Sequence, residues 1–161
     1  MHRKPSIRAV AIVIKDKKVL LMWRRKKGRE YYVFPGGHVE NNESIRDAVI
    51  REVFEETSTK IEINRLLYRH RYLYQSGNTS TQYFYLCRFL SGRLRLGNFN
   101  EKTANKKGDL HRPLWVSIAR LSKLLLYPLE IRDWLIKDFP TNFRSCPRRA
   151  TIKIENLRQK R

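Results

Sequence analysis

Acidic residues are scarce in this chain: 15 Asp and Glu stand against 35 Lys and Arg, for a formal net charge of +20 at pH 7. An imbalance of that size favours polyanionic partners, because clustered Lys and Arg raise the local concentration of phosphates. Cysteine is rarer still. Cys87 and Cys146 stand alone, which excludes a disulfide framework and shows no metal-binding spacing. Long hydrophobic runs are missing too. The N-terminal stretch Ala9-Val10-Ala11-Ile12-Val13-Ile14 is too short for a signal h-region, and no segment is long enough to span a membrane. Cytoplasm is therefore the default expectation. Repeats and long low-complexity tracts are also lacking, and 161 residues with 41% hydrophobic content lead us to expect one domain with a real core.

Six of the 15 acids fall between Glu40 and Glu56. A basic chain that gathers its few carboxylates in one stretch points to a cation held there. The segment reads as a helix. Asn42 or Ser44 can cap its start, and Glu43 sits in the first turn, where the helix dipole favours an anion. Ile45, Ala48 and Val49 share one face at about 100° per residue, a stripe suited to packing on a sheet. The stripe continues as Glu52, Glu55 and Glu56, at i, i+3 and i+4, with Cβ atoms roughly 5–6 Å apart. Like charges so placed repel, and a part-buried, unpaired carboxylate is costly. A hard divalent cation with oxygen ligands relieves both penalties, and Mg2+ or Mn2+ fits best. Arg51 and Asp47, four apart, are expected to pair on the flank. Before the helix, Pro35-Gly36-Gly37 allows close approach of backbone to a ligand, so that Gly37 offers a carbonyl to the metal shell. The bland alternative is a solvated acidic face; the placement of these glutamates on the buried stripe argues against it.

Gly37, Glu43, Arg51, Glu52, Val53, Glu55 and Glu56 match a known signature: Gly, five residues, Glu, seven residues, Arg-Glu, an aliphatic, any residue, Glu-Glu. It is that of the Nudix hydrolase superfamily, which the chain resembles over about residues 6–139. The family pattern continues with any residue, Gly and an aliphatic, whereas this chain has Thr57, Ser58 and Thr59. A Ser at a left-handed helix end costs about 1 kcal/mol relative to Gly. The resemblance implies an α/β fold, the Nudix-type α/β/α sandwich with a mixed β-sheet. It also implies hydrolysis of a nucleoside diphosphate linked to another group. By position, Glu52, Glu55 and Glu56 would bind metal, while Arg51 and Glu43 would orient them. A further acid from a loop outside the motif is expected; Glu101 is the first choice and Asp109 the second.

Attack of water on a pyrophosphate needs charge neutralisation, an oriented nucleophile and a proton acceptor. Metal ions meet the first two needs by clamping phosphates and lowering the pKa of bound water. Positioning and electrostatic stabilisation then carry most of the rate. A carboxylate free of direct coordination, Glu55 or Glu101, would take the proton.

Elsewhere, residues 6–14 and 19–23 read as partner strands, 24–30 as a basic loop and 31–34 as a short strand feeding the glycine turn. Two long strands follow at 61–74 and 81–89, then a polar loop at 93–108. A strand at 114–116 and helices at 118–125 and 129–139 complete the order. Ile131, Trp134, Leu135 and Phe139 form a core stripe. The strand-strand-helix-strand-strand-helix order itself fits an α/β sandwich. We therefore expect a domain over residues 1–141 and a mobile basic tail over 142–161, with Thr151-Ile152-Lys153-Ile154 able to add an edge strand when bound.

The cations Lys26, Lys27, Arg29, Arg69 and Arg71 are interleaved with Tyr31, Tyr32, Tyr68, Tyr72 and Tyr74. Aromatics beside cations can stack a base and hold its phosphates, although solvated strand edges produce the same pattern. Arg25 and Tyr32 are the chosen phosphate and base contacts, and His38 reads as a hydrogen-bonding loop residue. Three readings follow. One is a metal-dependent enzyme that cleaves the pyrophosphate linkage of a small nucleotide. The second is a hydrolase of the 5′ pyrophosphate of RNA, gripped by the basic surface. The third is a non-catalytic nucleotide-binding module, which has little need of three mutually repelling acids. A homodimer is compatible with any of them.

Overall fold

The computed structural model of this chain describes residues 5–95 and 109–154. Its order begins with β1 (Ser6–Lys15), β2 (Lys18–Lys26), β3 (Arg29–Val33) and β4 (Gly36–His38), followed by helix α1 (Ile45–Thr57). Two long strands come next, β5 (Lys60–Tyr74) and β6 (Thr79–Ser91), then β7 (Leu110–Ser117), a 3-10 turn at Ile118–Lys123 and β8 (Leu126–Tyr127). Helix α2 (Leu129–Asp138) and β9 (Arg148–Ile154) complete the described chain. Among the described residues no helix is long and apolar enough to cross a membrane.

The strands form one mixed sheet in the order β8-β3-β2-β1-β6-β5-β9, with β4 paired to β1 and β7 to β2. β1 is the central strand, and its apolar run Ala9–Val13 is no more than 5% exposed. Strand alternation splits that run between two cores. Val10 and Ile12 pack with Phe34, Tyr68, Phe84, Ile131 and Leu135 under α2. Ala9, Ala11 and Val13 pack with Ala48, Val49 and Val53 under α1. The alanines leave room for α1 to approach the sheet. Full burial of each Ile, Leu or Val contributes about 1.5–3 kcal/mol, so the two clusters clamp the sheet between the helices. This is an α/β/α sandwich with a mixed sheet.

One irregularity in the sheet creates the site. β1 and β2 pair only at Ile14↔Val19 and Lys15↔Lys18 before they splay apart. The edge that β1 leaves open is taken by β4, through Arg8↔His38, Ala9↔Gly37 and Val10↔Gly36. Pro35 extends the repair by accepting from the Ala11 N–H at 2.9 Å. Gly36 is required here: its φ is 149°, and a Cβ would meet the Ala9 carbonyl oxygen and, at 2.7 Å, the Val10 Cα.

The C-terminal segment packs on the domain and does not stand apart after residue 141, and the strand-like Thr151-Ile152-Lys153-Ile154 lies in an edge strand. Phe143 lies in the core at 3% exposure, and β9 pairs in parallel with β5 from Tyr68↔Arg148 to Tyr74↔Ile154. The cause is Asp138, a carboxylate only 1% exposed, which needs a cation. Arg148 supplies one with a bidentate contact at 2.6 and 2.8 Å. Composition registers the basic residues here but not the alternation of half-buried and exposed positions along β9. Residues 155–161 lie outside the described residues.

Candidate active site

Helix α1 starts at Ser44, whose Oγ accepts from the Asp47 N–H at 3.1 Å and donates to the Asp47 carboxylate at 2.6 Å. Asp47 is thereby committed to the cap, and the expected Asp47–Arg51 pair does not form. At the other end Ser58 adopts φ 58°, ψ 28°, and its N–H returns to the Phe54 carbonyl. The left-handed C-cap is present although the residue is Ser.

Arg51 is the hub of the acidic cluster. Its Nε and Nη2 grip Glu43 at 3.1 and 2.7 Å. Nη1 donates to Glu52 at 2.9 Å and to Glu55 at 3.1 Å, and Nη2 also reaches the His38 carbonyl at 3.1 Å. One planar guanidinium thus ties the loop before α1 to two turns of the helix, a geometry that a point charge cannot reproduce. Hydrogen bonds from Arg51, with one from the Glu40 N–H, hold the Glu43 carboxyl below its usual range. Burial pushes Glu52 the other way, against the hydrogen bond and charge of Arg51. Gly37 stands directly against Glu52, where a Cβ would coincide with the carboxylate.

Glu56 is the most enclosed of the three motif glutamates. It is 6% exposed, accepts from the Gly36 N–H at 2.9 Å and lies 3.4 Å from Arg24 Nη2. It therefore sits in the gap where β1 and β2 separate. His38 exposes its ring beside Ser6, with Nδ1 3.2 Å from the hydroxyl. Burial and the nearby Arg8 charge lower its pKa.

Among the described residues no three carboxylate, imidazole or thiol groups converge as a ready metal cage. Glu52 and Glu55 turn to Arg51, and Glu56 turns to Gly36 and Arg24. The donor set nevertheless suits a hard divalent cation. It comprises three carboxylates on adjacent turns of one helix, one of them held in an unfavourable part-buried state, beside a glycine that leaves their oxygens room.

A cavity of about 700 Å³ adjoins this cluster. Arg8, Arg24, Gly36 and His38 line it near the carboxylates, and Tyr72, Tyr74 and Tyr127 contribute aromatic surface. Of the two substrate contacts chosen from sequence, neither lines it. Alternation places Arg24 and Val33 on the cavity face of β2 and β3, and Arg25 and Tyr32 on the other face. Tyr32 packs against the α2-side core. The cations that do line the cavity, and that sequence reasoning did not single out, are Arg8 and Arg24; the signal for Arg8 is an arginine on the face of β1 that otherwise reads Val10, Ile12. Asp109 pairs with Lys26 at 3.9 Å. Glu101 lies outside the described residues.

A family model for the NUDIX domain matches residues 5–137. Nudix hydrolase YvcI of Bacillus subtilis, itself uncharacterised, is 32% identical over 124 residues, 76% of this chain and 73% of that protein. Nucleoside diphosphate-linked moiety X motif 6 of Mus musculus is 44% identical over 54 residues, 34% of this chain. The match spans only 17% of that mouse protein's length. In three dimensions the chain superposes on a NUDIX hydrolase from Nitrosomonas europaea with TM-score 0.70 and 18% identity, over 96% of this chain and 82% of that one.

Proposed function

Because the chain belongs to the Nudix hydrolase family, we propose that it hydrolyses the pyrophosphate linkage of a nucleoside diphosphate joined to another group. The observation that carries this reading is the Arg51-centred set of Glu43, Glu52 and Glu55, with Glu56 against Gly36 and Arg24, two residues that line the neighbouring cavity.

In this reading Glu52, Glu55 and Glu56 hold a divalent ion, Mg2+ or Mn2+, on which Nudix hydrolases generally depend. That ion, when bound, supplies neutralisation of phosphate charge and a lower pKa for the attacking water. The rest falls to the chain's own side chains. Arg51 sets the rotamers of Glu52 and Glu55, and Glu43 in turn sets Arg51. Arg8 and Arg24 receive the phosphate oxygens in the cavity, and the tyrosines opposite receive the nucleoside. Where Glu52 and Glu56 alone coordinate directly, Glu55 is the candidate proton acceptor, since its side chain is 39% exposed against 15% for Glu52 and 7% for Glu56. Glu101 is the alternative base.

Turnover of a nucleotide panel with Mg2+ or Mn2+, read as mononucleotide or pyrophosphate release, tests this. Glu55→Gln and Glu56→Gln should each lose at least about a hundredfold in rate; near-normal turnover in both refutes the mechanism. The net charge of +20 favours one second reading, in which the pyrophosphate sits on the 5′ end of RNA. Substrate affinity that falls steeply with salt would select it.

A further inference from the structure

The face of the sheet that carries α1 extends beyond the helix, and there it is cationic. Partnered residues in neighbouring strands point to the same face. One row across the sheet reads Arg149, Arg69, Tyr83, Ala9 and Gly37, in register from β9 through β5, β6 and β1 to β4. The next reads Thr151, Arg71, Thr81 and Ile7. The third pairs Lys153 with Leu73 and Thr79. Ala9 at the far end is under α1, whereas Arg71, Arg149, Thr151 and Lys153 are exposed and Arg69 and Tyr83 half-buried.

No acidic residue occurs in residues 66–74, 79–85 or 148–154, and none of Arg69, Arg71, Arg149 and Lys153 has an acidic partner among the described residues. The contrast with Arg148 is informative, because that side chain on the opposite face is fully engaged by Asp138. Strands about 4.8 Å apart, with same-face residues about 7 Å apart along each, set these cations close together. Such crowding is unfavourable unless an anion is shared among them. A half-exposed tyrosine in the same row adds a ring on which a base can stack.

We propose that this open face of β5, β6 and β9 binds single-stranded RNA, with Arg69, Arg71, Arg149 and Lys153 on its phosphates and Tyr83 stacked against a base. The surface is separate from the Arg51 cluster, and the proposal rests on no step of the hydrolysis.

The test is titration of the full chain with a fluorescent RNA of about 12 nucleotides, a length within the range of such sites. A 5′-hydroxyl end makes the probe inert to the proposed reaction. The triple variant Arg71→Ala/Arg149→Ala/Lys153→Ala should bind at least about tenfold more weakly in 0.1 M salt, and its salt slope should fall by about 2–3. Tyr83→Leu should weaken single-strand binding severalfold and leave duplex binding unchanged. Both variants should keep wild-type turnover of a small nucleotide, which also shows that they fold. Wild-type affinity in the triple variant overturns the proposal. So does a chain that binds duplex RNA or heparin as tightly as the single strand with no effect of Tyr83→Leu, since the face would then be a polyanion surface only.

Discussion

Two adjacent glycines separate the fold from the chemistry, and exchanging each for alanine gives opposite outcomes. At Gly37 a Cβ would fall on the Glu52 carboxylate, the mobile end of a side chain that can swing away. No positive φ stands against alanine there, so folding stability should stay within about 1 kcal/mol of wild type. The carboxylate, however, must leave the 2.9 Å contact with Arg51 Nη1 and the place from which it would reach a metal. Gly37→Ala should therefore weaken Mn2+ binding about 10–100-fold, the range seen when the support of a ligand is disturbed. At Gly36 the same change drives a Cβ into the Ala9 carbonyl and Val10 Cα at a φ of 149°. Neither obstacle is a side chain. Backbone strain and overpacking there cost about 2–5 kcal/mol. Thermal melts with and without Mn2+, together with calorimetric titration of the ion, read both effects. A Gly37→Ala protein that melts normally and binds Mn2+ with wild-type affinity would refute the role given to Glu52.

The opposed pKa shifts of Glu43 and Glu52 make a pH test. The stabilisation from Glu43, whose pKa is lowered by Arg51, is present above its unfolded-state value and disappears as pH falls through the folded one. Glu52, raised by burial, behaves inversely: its contribution is present at low pH and is lost as pH rises through its folded value. In EDTA, Glu52→Gln should accordingly gain melting temperature relative to wild type between about pH 4 and 7, and added Mn2+ should reverse the order at pH 7. A difference that does not vary with pH would count against the desolvation argument. Arg51→Lys keeps the charge but loses the fork that joins Glu43, Glu52 and Glu55, so turnover should fall at least about tenfold. Equal kcat in the lysine variant would show that only the charge matters.

Much of this site could be read from α1 alone. The i, i+3, i+4 spacing of Glu52, Glu55 and Glu56 follows from helical geometry, and so does the stripe of Ala48 and Val49 that seats the helix on β1. Arg51 also belongs to the motif, and its bond to Glu55 is the i, i+4 contact that a helix supplies, but its main partner does not follow from spacing. Asp47 at i−4 is the nearest acid on the N-terminal side, yet the Ser44 cap takes it, and Glu43 at i−8 becomes the main partner because the loop folds back over the helix. Local geometry names neighbours on one element; it does not report which competing hydrogen bond wins.

Arg25 and Tyr32 stay outside the cavity lining for a different reason. Both lie on strands that lead into the site, but a strand presents its residues to alternate faces. A one-residue error therefore changes the side of the sheet. Parity becomes readable only against a fixed reference, and Gly36 provides it: its pairing with Val10 and its hydrogen bond to Glu56 determine which face of β1 and β2 meets the carboxylates. That pairing exists because β1 and β2 diverge after two residue pairs, a long-range property that no single strand's pattern encodes. The same logic explains β9, whose place depends on a buried Asp138 sixteen residues before its end. The glutamate-bearing helix is thus a local invention, and the cavity beside it is a product of how distant strands fail to pair.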